Sequence, residues 1–261
     1  KNHNKKSYNF GHSNSSHWAR LRVKNNSKIK NWVLTQKYSQ VDNITLYKKM
    51  DGEWKGITTG DTHNFNTRDI ESEFFSFNIS PQESVYYIRI WGGYNKLILE
   101  MQSRNSFFTK STYRNYLMGI IFGIFFAMIG YNLFIYLSTK DISYLYYVLF
   151  VIGISLYLCN LYGYGIRFIY PNMPYWSQEG HQIIAHTFMG LFSMFWTSFL
   201  DLKSRSKSLY IVSRVLTIYC FLIALFVPFI NFIFLLNTFL KLIGIFMVVF
   251  VIIIVNSVRT F

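Results

Sequence analysis

Few residues in this chain could do covalent chemistry, and they are scattered. Cys159 and Cys220 both fall inside apolar runs, so they read as small core residues, not a disulfide framework or metal site. The nearest approach to a catalytic or metal set is Glu179 with His181 and His186. On a helix of 3.6 residues per turn the two histidines would lie about 140° apart, which disfavours chelation by both. There is no zinc-spaced His/Cys cluster, phosphate-binding glycine loop or nucleophile–base pair, so no catalytic residue, cofactor or metal is expected. Residue types suited to binding are better placed. Arg89 stands between Ile88 and Ile90, so on a strand it shares the opposite face with Tyr87 and Trp91. A guanidinium flanked by aromatics can stack on or pair with a polar ligand. The blander alternative is an arginine lying along a sheet. Trp91-Gly92-Gly93-Tyr94 sets two aromatics around a flexible turn, where sugar rings could stack or where, as strand-end aromatics, they serve the core. Trp18 and Trp32 read mainly as packing residues. Lys241 and His186 are polar groups inside apolar stretches, with no carboxylate there to pair with Lys241. They read either as functional groups facing a cavity or, for Lys241, as a side chain snorkelling to the interface.

These residues sit in two unlike halves. Residues 1–115 hold 18 of the 26 Lys/Arg and 9 of the 12 Asp/Glu, which leaves 8 and 3 for the rest. The second half is therefore built for a different solvent. Five windows there suit a hydrocarbon core that takes about 20 residues to cross. They are 116–137, 144–164, 183–200, 209–230 and 232–255. One such window alone could be a buried soluble helix; five with short links argue for a bilayer. Lys140, then Lys203, Arg205 and Lys207, then Arg259 accumulate on one side, which is the cytoplasmic one. That places residues 1–115 outside. The net charge of +14 does not point to nucleic acid, because the basic residues alternate with apolar ones in strand-like runs. Gly119, Gly123 and Ala127, at steps of four, offer a small-residue face for a neighbouring helix or a second subunit.

In the first half the period changes to two. Ala19–Lys24 alternates apolar and basic residues, and similar runs follow at 32–38, 44–49, 54–59, 74–79, 85–91 and 97–101. Turn signals separate them, Asp51-Gly52 and Ser80-Pro81 among them. Seven or eight short antiparallel strands predict a jelly-roll-like β-sandwich. The expected organisation is a flexible segment 1–8, the extracytoplasmic sandwich 9–110, a stiff junction 111–115 and a transmembrane α-helical bundle 116–261.

The residues also resemble a known family, the bacterial seven-transmembrane receptors with diverse intracellular signalling modules. Asn9-Phe10-Gly11, Ser16-His17-Trp18 with Arg20, Asp42-Asn43-Ile44-Thr45-Leu46-Tyr47, Gly60-Asp61, Arg68-Asp69 and Tyr87-Ile88-Arg89 look like its type 2 extracellular domain. Gly119–Ile124, Tyr131-Asn132-Leu133-Phe134, Lys140-Asp141 and Tyr144–Tyr147 look like its membrane domain. The resemblance implies a sensor for a small, carbohydrate-like ligand, joined to a seven-helix bundle and a cytoplasmic output module. Two further helices and that module are then expected beyond Phe261, and an export signal before Lys1. The candidate ligand residues are Trp18, Arg20, Arg68, Arg89, Trp91 and Tyr94. The expected partners are the lipid bilayer, the ligand and a second copy of the chain, with no nucleic acid. The expected place is the bacterial inner membrane, in multi-pass form. The rival reading is a transporter or channel subunit with an accessory outer domain; only Lys241, His186 and a few Ser, Thr and Asn could serve it.

Overall fold

The computed structural model describes residues 7–50, 52–80, 83–230 and 232–259. Lys1–Lys6, most of the segment read as flexible, and the turn residues Asp51, Pro81 and Asn231 lie outside the described residues. Two compact units emerge. One comprises residues 1–120 and 158–178, the other residues 121–157 and 179–261.

The first unit contains seven antiparallel strands: β1 Tyr8–Lys24, β2 Trp32–Gln36, β3 Asn43–Met50, β4 Glu53–Thr59, β5 Phe75–Ile79, β6 Glu83–Leu97 and β7 Leu99–Ser103. One sheet has the order β1-β6-β3-β4 and the other β5-β2-β7. Alternation sends Ile44 and Leu46 of β3, Ile88 and Ile90 of β6, Leu34 of β2 and Phe75, Phe77 and Ile79 of β5 into one shared core. The domain is therefore a β-sandwich. The edge strand β1 is longer than its apolar run suggested, and bulges interrupt its pairing with β6 between Asn9 and His17. Irregular, basic edges of this kind resist pairing with other chains.

A single helix, α1 Arg104–Thr139, follows directly on Ser103. The segment 111–115 is thus not a separate junction, and the sandwich ends before residue 110. Arg104, Thr109, Lys110 and Thr112 make this stretch polar. They suit the wet stem of a helix that becomes apolar farther on.

The second unit contains most of α1, most of α2 Ile142–Leu161, and all of α3 Glu179–Phe199, α4 Leu202–Arg205, α5 Lys207–Phe226 and α6 Phe232–Arg259. Among the described residues, four helices are long and apolar enough to cross a membrane: α1, α2, α5 with the turn after it, and the stretch Phe234–Ile252 of α6. The 21-residue α3 is not among them, because Glu179, His181, Gln182 and His186 lower its hydropathy. It turns those groups inward: His181, Gln182, His186 and Ser193 are buried. Against α5, Trp196 Nε1 donates to Ser213 Oγ at 3.1 Å, and Ser193 Oγ donates to the Ser213 carbonyl at 2.9 Å. Hydroxyls and close contacts hold helices together in lipid, where apolar burial offers little drive.

Candidate functional site

The outer face of the four-stranded sheet follows from the same alternation. With Ile88 and Ile90 pointing inward, Tyr87, Arg89 and Trp91 point outward. Register pairs Arg89 with Trp18 on β1 and with Thr45 on β3, and Thr45 with Thr58 on β4. The neighbouring row is Arg20, Tyr87, Tyr47 and Gly56, and Trp91 lies opposite Asn43. Four of the six sequence candidates, Trp18, Arg20, Arg89 and Trp91, thus share one face. Trp18 stacks on Tyr47 with ring centroids 5.5 Å apart, and the Arg89 guanidinium lies 6.0 Å from the Trp18 ring. Arg89 Nε donates to Ser16 Oγ at 3.0 Å, which fixes the guanidinium over the sheet. A depression of about 190 Å³ opens beside it, lined by Asn43, Thr45, Tyr47, Thr58, Arg89 and Trp91. Gly56 makes room for the Tyr47 ring: a Cβ there would come within 3.0 Å of Tyr47 Cε1.

Trp18 is 58% exposed, Trp54 49% and Trp91 44%. Indoles usually bury most of their surface, so three exposed on one sheet face make it the candidate binding surface. The sequence reading placed Tyr87 beside Arg89 but missed Tyr47, Thr45, Thr58 and Trp54. Their membership depends on cross-strand register, which one strand's pattern does not reveal. Tyr94 has its backbone in β6, but its side chain lies outside what the structure describes.

Arg68 is a correction. It is buried, donates to the Ser72 carbonyl, and lies 4.8 Å from the Phe65 ring and 4.7 Å from the Phe75 ring. Burial pulls its guanidinium down to about 10, against the raising effect of the Asp61 and Glu73 carboxylates. These contacts tie the loop 60–74 together and leave the guanidinium enclosed, away from the exposed sheet face.

That loop leads to a second constellation. Glu73 has a side chain only 1% exposed and is gripped by two arginines. Arg114, on the stem of α1, reaches Glu73 Oε1 through Nε and Nη2. Arg167, in the link after α2, reaches Oε2 at 3.4 Å, and Ser72 Oγ adds a hydrogen bond at 3.2 Å. The link is fastened along its length. Ser39 Oγ donates to the Leu161 carbonyl at 2.9 Å, and Phe65 N–H donates to the Pro171 carbonyl at 2.8 Å. Gln178 Nε2 donates to Asp42 Oδ1 at 3.1 Å and Asp61 Oδ1 at 3.0 Å. Gly163 is in the left-handed region at φ +76, and a Cβ there would sit 2.4 Å from the Glu73 carbonyl. The link carries Arg167 in a π-helical turn and Pro174 at the start of a 3₁₀ turn. Buried Tyr164 has its phenol pushed up by desolvation, and its hydroxyl donates to Asn115 on α1 at 3.0 Å.

Glu73 and Glu100 carry ion pairs to Arg114, Arg167, Lys37 and Lys110. Asp42, Asp61 and Asp69 are engaged by hydrogen bonds. The guanidiniums of Arg20, Arg22 and Arg89 are thus left without an ion-pair partner among the described residues.

In the second unit, His186 is fully buried, with Nδ1 2.8 Å from the Gln182 carbonyl and its ring edge-on to Phe239. His181 stacks on Tyr157 at 4.6 Å. Lys241 is exposed on α6, and among the described residues no hydrogen bond joins it to His186. A Cβ added at Gly119 or Gly123 would meet nothing within 4 Å, and Ala127 is exposed, so this face of α1 is uncovered.

Comparison with known proteins places these two constellations in context. A family model described as 7TM diverse intracellular signalling matches residues 114–260. One described as 7TMR-DISM extracellular 2 matches residues 1–102. No curated protein matches the chain.

Proposed function

The chain belongs to the 7TMR-DISM family and is a multi-pass transmembrane signalling receptor with an extracellular domain, and we propose that its sandwich senses an acidic, carbohydrate-like ligand on the outer sheet face. Exposed indoles suit the apolar faces of sugar rings, and unpaired guanidiniums suit carboxylate or sulfate groups. Arg20, Arg22 and Arg89 supply that charge without a competing carboxylate among the described residues.

The observation that carries the reading is the grip on Glu73. One buried carboxylate at the base of β5 holds both the stem of α1 and the link after α2. A ligand that favours one arrangement of the sandwich loops would bias both attachments together, and so shift the population of membrane-domain states. The sandwich is read as jelly-roll-like because β1 pairs with β6 and β2 with β7 across long stretches of sequence. The helix α3 is read as a fifth span, shielded from lipid by its neighbours, which leaves its buried histidines facing protein. The uncovered Gly119, Gly123 and Ala127 face supports association with a second copy. The bacterial inner membrane is the place where this topology serves, and catalysis belongs to the family's output modules.

The test uses the full chain in lipid nanodiscs, with tryptophan fluorescence followed against acidic and neutral oligosaccharides. A saturable change with acidic oligosaccharides, lost in Trp18→Ala and Arg89→Ala, is the expected result. An absence of response to every saccharide, or an unaltered response in both variants, would remove the ligand assignment.

A further inference from the structure

A hollow of about 250 Å³ lies at the end of the helical unit where Lys and Arg accumulate, lined by residues of α2, α3, α4 and α5 and by Asp201 between α3 and α4. Two cations from different elements reach it, Lys203 on α4 and Arg214 on α5. Among the described residues neither forms an ion pair. Asp201 lines the same hollow but is engaged by Ser204, whose Oγ donates to Asp201 Oδ2 at 2.5 Å. Asp201 also holds a left-handed backbone at φ 45, in the turn between α3 and α4. Tyr146 and Tyr210 add aromatic walls with polar tips, while Ile142 and Met194 supply apolar surface.

We propose that this hollow binds the phosphodiester headgroup of an anionic phospholipid of the adjoining leaflet. The local balance is two cations against one carboxylate, one net positive charge. That suits the single negative charge of a phosphodiester better than free inorganic phosphate, which carries more. The apolar wall at Ile142 and Met194 gives the first carbons of the lipid a surface that a free anion does not need. Clusters of Lys and Arg beside membrane helices attract anionic lipid generally. What distinguishes this place is Arg214, which stands on α5 well past Lys207 and shares the hollow with Lys203 of another helix.

The experiment is native mass spectrometry of the full chain, released from detergent after incubation with short-chain phosphatidylglycerol, phosphatidylcholine or inorganic phosphate. Phosphatidylglycerol should be retained in preference to phosphatidylcholine. Retention should fall about fivefold for each charge removed in Lys203→Gln and Arg214→Gln. The charge-keeping pair Lys203→Arg with Arg214→Lys should retain the lipid, which separates loss of charge from loss of fold. The neighbouring pair Arg205→Gln with Lys207→Gln should retain it as well. Equal retention of both lipids, or equal loss in the neighbouring pair, would overturn the site in favour of diffuse surface charge. Displacement of phosphatidylglycerol by millimolar phosphate would overturn the lipid as ligand.

Discussion

Glu73 gains from its two arginines only as long as all three charges are present. Its carboxylate is removed from water, and Arg114 and Arg167 remain about a quarter exposed, at 26% and 22%. Taking away one member of a buried pair typically costs about 3–5 kcal/mol, because the remainder is left uncompensated. The partial exposure of the arginines puts Glu73→Gln at the low end, about 3 kcal/mol, read as a lower thermal midpoint of the outer unit by tryptophan fluorescence. Lys37 and Lys110 flank Glu100 in a smaller version of the same arrangement. Burial opposes its charge, but the two ammonium groups overcome that and hold the carboxyl below its usual value. A depressed folded-state value means the contribution is complete above the ordinary carboxylate range and is lost as pH falls through the depressed value. Lys37→Met should therefore lower stability at neutral pH and leave it little changed below the depressed value, which flattens the acid limb of the stability profile. Sequence made Arg89 and its aromatic companions legible, because Ile88 and Ile90 fix which way Arg89 points. It could not reveal Glu73, whose partners lie at 114 and 167 in other elements. It misread Arg68 because a polar Arg-Asp pair between strands gives no sign of being enclosed by Phe65 and Phe75.

At the scale of elements, α1 runs without a break from Arg104 to Thr139, so one helix carries both Arg114 and the apolar stretch that follows it. Inserting one residue after Asn115 rotates everything beyond it by about 100° relative to Arg114, and four residues bring the phase nearly back. In a receptor joined to a measurable output, the single insertion should abolish the ligand response, and the four-residue insertion should restore much of it. An equal response in both would mean that the stem transmits no rotation. Gly163→Ala should loosen the link after α2, since the side chain meets the Glu73 carbonyl and strains the backbone. Proteolysis between residues 162 and 178 should then become faster. The strands were readable because alternation survives in β1 and β6, while β2 and β5, buried at nearly every residue, are short apolar runs bounded by turn residues. The helical stem was read as a short stiff junction, because its polar residues do not by themselves reveal that it continues into the apolar stretch.

At the scale of the whole molecule, the family sets the sandwich outside, and the basic links follow the opposite side of the bilayer. With Cys159 and Cys220 replaced by alanine, a membrane-impermeant maleimide should label Ser106→Cys in intact cells. It should label Ser204→Cys only after the membrane is opened. The converse pattern would invert the topology. The outer unit is discontinuous, since residues 158–178 complete what residues 1–120 begin. During synthesis, then, the membrane-side end of the sandwich must wait, with the Glu73 carboxylate lacking Arg167, until α1 and α2 have been inserted and the next stretch has been delivered outside. Correct threading of the first helical hairpin is therefore a condition for finishing the sensor. A chain that inserts the hairpin wrongly leaves a charged, open-ended sandwich that surveillance proteases can tell from the finished receptor.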